Sequence, residues 1–127
     1  MTNETVEAQN ASPKHTSSDR IQTVTRTTFP SLVLQGKGPI AVEFMSYGCS
    51  HCRAMDPVLQ QVAEMVKPQE KIFRVNIAVE PELTDSYQIE GTPTFVMFLN
   101  GKEVGRAEGP PPTVSGVRAA LTQPFEL

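Results

Sequence analysis

Cys49, Ser50, His51 and Cys52 are the residues of this chain best suited to chemistry: two thiols spaced C-x-x-C, with an imidazole between them and no other cysteine in the sequence. A thiol is a weak nucleophile until it ionises, and a helix N-terminus favours ionisation through its dipole and its unpaired N–H groups. The surrounding pattern puts the pair at such a place. Ile40 to Met45 is a short apolar run interrupted by one carboxylate, Glu43, after which Met55, Val58, Leu59, Val62 and Val66 recur at helical spacing. Cys49 is therefore expected as the nucleophile. Cys52, one turn later on the same face, is expected to resolve a mixed disulfide formed at Cys49.

Two other uses of the pair are weaker. A zinc site needs four N or S ligands, and the chain offers only Cys49, Cys52, His51 and a distant His15. A disulfide closing so small a ring removes little entropy from the unfolded chain, so a purely structural staple gains little. No metal site is expected, and no cofactor beyond the redox-active Cys49–Cys52 disulfide itself.

The elements that must position these residues follow from the pattern. Residues 1–20 are polar and aperiodic and read as a disordered N-terminal tail, leaving 21–127 as the folded domain. Ile21 and Val24 suggest an edge strand. Phe29, Leu32 and Val33 suggest a first helix, with Thr27 or Thr28 as cap and Pro30 in its first turn. Ile40 to Met45 is too apolar for a half-exposed strand and should be central. The helix after Cys49 should run to about Val66, kinked at Pro57. Lys71 to Ile77 reads as a strand and Glu80 to Tyr87 as a short helix. Phe95 to Leu99 reads as a buried strand, turned by Asn100-Gly101 into a second strand from Lys102 to Ala107. Pro110, Pro111 and Pro112 stiffen a connection to a last helix carrying Val114, Val117, Ala120 and Leu121. The fold class is thus α/β, a central mixed sheet with helices on both faces.

Composition narrows the function. A chain of 127 residues that is 39% hydrophobic and 20% charged, with net charge −3, has the makeup of one globular domain. That charge argues against nucleic acid or an anionic membrane as partner, and no stretch is long and apolar enough to span a bilayer. The start of the sequence has no signal-like pattern, so a cytoplasmic location is the default, with an exported form still open.

Taken together, Glu43 six residues before Cys49, the C-x-x-C pair, Pro57, Gly91-x-Pro93-Thr94, the Asn100-Gly101 hairpin and Gly109 before the last helix are in register with the thioredoxin family, which this chain resembles over roughly residues 21–122. The resemblance implies the thioredoxin fold, a cis bond at Thr92-Pro93 facing the cysteines, and a substrate ledge made by Thr92, Pro93 and Gly109. It implies protein disulfide substrates, an upstream thiol reductase or oxidant, and a monomer. The chain departs from the family's W-C-G-P-C: it reads Gly48-Cys49-Ser50-His51-Cys52 and has no tryptophan. Tyr47 is the candidate to supply the missing aromatic contact, although it also reads as an ordinary loop residue. His51, as in protein disulfide isomerases, is expected to pair with the Cys49 thiolate and make the couple a stronger oxidant than a glycine-proline version. Glu43 replaces the family's buried aspartate. It is expected either as a lone buried carboxyl passing protons to and from Cys52, or as a partly exposed partner of Arg74.

Three functions are consistent with these residues. The first is a thiol-disulfide oxidoreductase acting on protein disulfides through Cys49 and Cys52. The second is an exported oxidant or isomerase. The third is a redox-sensing binding module that does not turn over.

Overall fold

The computed structural model describes residues 20–66 and 70–126. Five strands, β1 (Gln22–Thr23), β2 (Pro39–Met45), β3 (Lys71–Asn76), β4 (Thr94–Leu99) and β5 (Lys102–Glu108), form one mixed sheet. Their order is β1-β3-β2-β4-β5, which makes β2 the central strand. β1, β3 and β2 run parallel, whereas β4 and β5 are antiparallel to their neighbours. A parallel β2–β3 pair needs a crossover, and α1 (Ser50–Met65) supplies it. α2 (Pro81–Ser86) joins β3 to β4, and α3 (Val114–Thr122) follows β5.

Alternation along the strands divides the core in two. Ala41, Ile72, Phe95 and Met97 face α1 and α3, where they meet Met55, Leu59, Val62, Val117 and Leu121. Val42, Phe44, Phe73, Val75, Val96 and Phe98 face the other way and pack on Phe29, Val33, Leu83 and Tyr87. Helical elements therefore cover both faces. Met55 and Leu59 are wholly buried, and truncating either to alanine would cost about 2–5 kcal/mol.

Several expectations change. The first helix is one turn of π-helix, Pro30–Leu34, with Phe29 at its cap position and no side-chain cap. Thr28 does not cap it, because its hydroxyl accepts the amide of Thr25 at 2.9 Å. α1 is a 16-residue helix with Pro57 in its interior, where the sequence pattern put it. The tail assigned to residues 1–20, including His15, lies outside the described residues except for Arg20. Arg20 belongs to the domain: its amide donates to Gln60 Oε1 at 2.8 Å and its guanidinium lies 3.4 Å from Glu64. Among the described residues no helix is long and apolar enough to cross a membrane.

Candidate active site

The carboxyl end of β2 delivers the chain to Cys49. Cys49 is the N-cap of α1, with extended backbone dihedrals, and its Sγ accepts the Cys52 amide at 3.1 Å. A cap position normally takes an oxygen from Ser, Thr, Asp or Asn; here sulfur satisfies one of the four amides that a helix start leaves open. Burial works against ionisation of Cys49. It is outweighed by hydrogen bonds from the Cys52 thiol, from Thr92 and from the backbone amides of Cys52 and His51, which hold its pKa below that of an ordinary thiol. Cys49 is partly exposed and Cys52 buried, and both are free thiols. Burial, and then the hydrogen bond to Cys49, push Cys52 up to about 11. One thiol is therefore activated and reachable, and the other is held back beneath it.

Cys52 shares the buried face of α1 with Met55, Leu59 and Val62. That face rests on the side of β2 that carries Ala41 and Glu43. Glu43 is only 2% exposed, and its neighbour on β3 in the parallel register is Arg74. Glu43 Oε1 lies 3.6 Å from Arg74 Nε, too far for a hydrogen bond. Arg74 Nη2 instead donates to Asp56 Oδ1 at 2.6 Å. Asp56 is one turn beyond Cys52 on α1. The two expectations for Glu43 thus merge into a third arrangement: it is buried and it faces Arg74, which is itself buried and held by a half-exposed aspartate. Desolvation raises Glu43 to about 7, opposed by Arg74 and aided by Asp56.

β4 runs antiparallel to β2 with Thr94 opposite Phe44, so the segment before β4 lies beside the cysteine loop. The Thr92–Pro93 bond is cis. The Cys49 thiol lies 3.5 Å from the Thr92 carbonyl oxygen, to which it donates. Thr94 Oγ1 donates to Gly91 O at 2.6 Å and closes that turn. The Gly109 amide donates to Pro93 O at 2.8 Å, with Gly109 at φ +56°, a conformation that a Cβ would strain. Thr92, Pro93 and Gly109 accordingly form one continuous backbone ledge next to Cys49.

His51 sits differently from the sequence expectation. Its Nε2 lies 3.2 Å from Pro110 O, and a carbonyl only accepts, so Nε2 carries the hydrogen. The imidazole thus ties the start of α1 to the loop before α3, and the contribution of His51 to Cys49 comes through its backbone amide. Tyr47 is 60% exposed, and its carbonyl accepts from Arg53 at 2.9 Å. Sequence reasoning missed Asp56, which looks like any helix carboxylate. The available signal was Arg74, a lone cation within the apolar run Ile72, Phe73 and Val75.

A mixed sheet with β2 at its centre, helices on both faces and a C-x-x-C pair opening the first long helix beside a cis-proline defines the thioredoxin class of fold. The family model for thioredoxin matches residues 20–121, and the chain belongs to the thioredoxin family. It is 33% identical over 89 residues to thioredoxin 1 of Synechococcus elongatus, covering 70% of this chain and 83% of that one. It is 32% identical to thioredoxin 1 of a Nostoc species, covering 81% and 92% of the two chains. It is also 33% identical over 85 residues to the chloroplastic thioredoxin Y of Oryza sativa, covering 67% of this chain and 51% of that protein. The chain spans about half the length of the chloroplastic relatives it matches. Its fold is similar to that of a thioredoxin mutant from Halobacterium salinarum, with TM-score 0.73, 22% identity, and coverage of 93% and 97%.

Proposed function

We propose that the protein is a thiol-disulfide oxidoreductase that exchanges electrons with protein disulfides through Cys49 and Cys52. The observation that carries this reading is the Cys49 sulfur at the cap of α1, 3.1 Å from the Cys52 amide, with the Cys52 thiol buried behind it. A client disulfide laid along the backbone of Thr92, in the manner of an added strand, would meet that sulfur. Tyr47, exposed and two residues before Cys49, is offered as an aromatic contact for the client.

In the reducing direction, the Cys49 thiolate attacks one client sulfur. A Cys49–client disulfide forms, and the second client sulfur leaves with the bonding pair. Cys52 then gives up its proton and attacks Cys49 Sγ, closing the Cys49–Cys52 disulfide and expelling the first client sulfur. The client gains two electrons and two protons, and the cysteine pair is oxidised. One proton comes from solvent, which received it when Cys49 ionised. The other comes from Cys52, with Glu43 on the same buried face as its base. A thiol reductase then returns the two electrons. Run backwards, the same steps oxidise a dithiol, so the potential of the pair against its surroundings sets the direction.

The test is reduction of insulin by dithiothreitol with catalytic amounts of protein. Acceleration that disappears in Cys49→Ser supports the reading. A wild-type protein that leaves the insulin rate unchanged would sink it in favour of a binding module.

A further inference from the structure

Among the described residues Arg74 reaches two carboxylates and treats them unequally: 2.6 Å from Nη2 to Asp56 and 3.6 Å from Nε to Glu43. Charge-assisted hydrogen bonds strengthen steeply as they shorten, so the stronger of the two contacts goes to Asp56 and Glu43 is left with a longer ion pair. Asp56 is half-exposed and keeps water around its own charge, whereas Glu43 has none of that help. β4 places Phe95 opposite it, α3 contributes Val117 and Leu121 to that side of the core, and α1 adds Cys52.

We propose that Asp56 is a positioning residue for the proton step at Cys52: by drawing the Arg74 guanidinium onto itself, it keeps that charge from closing on Glu43 and leaves the buried carboxyl able to take and release a proton. This rests on the reading above in which Glu43 is the base for Cys52. The step is balanced. Cys52 S–H gives its proton to the Glu43 carboxylate while its sulfur pair forms the bond to Cys49 Sγ, and Glu43 later returns that proton to the departing client thiolate. Without Asp56, the Arg74 charge would act on Glu43 with that competing carboxylate removed and hold it as a carboxylate to lower pH. The titration of Glu43 near neutrality is consistent with the shared arrangement, since burial raises it, Arg74 opposes and Asp56 adds to the rise.

The test uses an aromatic disulfide that releases a coloured thiolate at each step, the first by attack of Cys49 and the second by resolution through Cys52. Stopped-flow rates across pH are combined with carboxyl NMR of isotope-labelled Glu43. In wild type the second release should rise with pH through a limb that tracks the Glu43 midpoint. In Asp56→Asn, or in Asp56→Ser should the first variant not fold, midpoint and limb should both move down by about one pH unit. The first release should stay within about twofold of wild type. Asp56→Glu should restore the original profile, which a merely structural role would not predict. A Glu43 midpoint that stays put in the folded variants overturns the proposal. A midpoint that moves beneath a stationary limb overturns it differently, by removing Glu43 from the reaction, and a limb that survives in Glu43→Gln identifies that case.

Discussion

Glu43 and Arg74 face one another from adjacent central strands as a long ion pair, 3.6 Å between Oε1 and Nε, each almost wholly removed from water. A group that holds its proton more tightly when folded than when unfolded makes stability depend on pH. Glu43 goes from an ordinary 4.5 to about 7 in the fold. Between those values the folded chain binds more protons than the unfolded one, so its contribution is full below about 4.5 and is lost as pH rises to about 7. The loss is roughly 3 kcal/mol. Glu43→Gln should abolish it, because Arg74 keeps Asp56 as partner. Chemical denaturation at pH 4 and pH 8 should show the variant gaining on wild type by roughly that amount at the higher pH. An equal difference at both pH values would mean that folding leaves the Glu43 pKa at its ordinary value.

Cys49 and Cys52 should separate cleanly by alkylation. Cys49 should react with an iodoacetamide profile shifted below that of a free thiol, because helix amides and the Cys52 thiol favour its anion. Cys52 should resist until strongly alkaline pH, since it is buried and raised to about 11. Mass spectrometry of the labelled peptides assigns each rate. Faster modification of Cys52 at neutral pH would reverse the roles given to the two thiols.

Two substitutions at His51 should part company. His51→Ala removes the imidazole and its bond to Pro110 O but keeps the backbone amide that faces the Cys49 sulfur, so the Cys49 profile should move little. His51→Pro removes that amide as well, raising the Cys49 profile and making the reduction potential more negative, because the reduced form loses support. Equal shifts in both variants would return the effect to the imidazole.

Cys52→Ser should trap clients. Attack by Cys49 needs only its own thiolate, and release needs a second thiol one helical turn away, so the variant should accumulate mixed disulfides that dithiothreitol dissolves. Cys49→Ser should accumulate none. Non-reducing electrophoresis after acid quenching reads the result, and the absence of any adduct in Cys52→Ser would count against the oxidoreductase reading.

The order of elements was legible because each rests on local periodicity. Ile40 to Met45 could only be a covered strand, Met55 to Val62 only a helix face, and Asn100-Gly101 only a tight turn; their φ values of +52° and +85° are what a hairpin of that kind demands. What stayed hidden depends on residues far apart in sequence meeting in space. The bond from His51 to Pro110 spans 59 positions, and that from Arg74 to Asp56 joins a strand to a helix 18 residues earlier. No period encodes either contact. The π-turn at Pro30–Leu34 escaped for another reason: an apolar spacing over five residues is compatible with either helical pitch, and the choice is made by packing of Phe29 and Val33 on the sheet.

The atom that caps the start of α1 is also the atom whose oxidation state changes. A thiolate brings a full negative charge to the amides at the head of the helix, whereas a disulfide sulfur brings almost none. The first turn of α1 should therefore be held hardest in the reduced, ionised protein and most loosely in the oxidised one. Linkage makes the relation reciprocal. Anything that orders that turn favours electrons staying on the pair, and anything that frays it favours their departure, so the tightness of one helical turn acts as a dial on the redox poise of the protein.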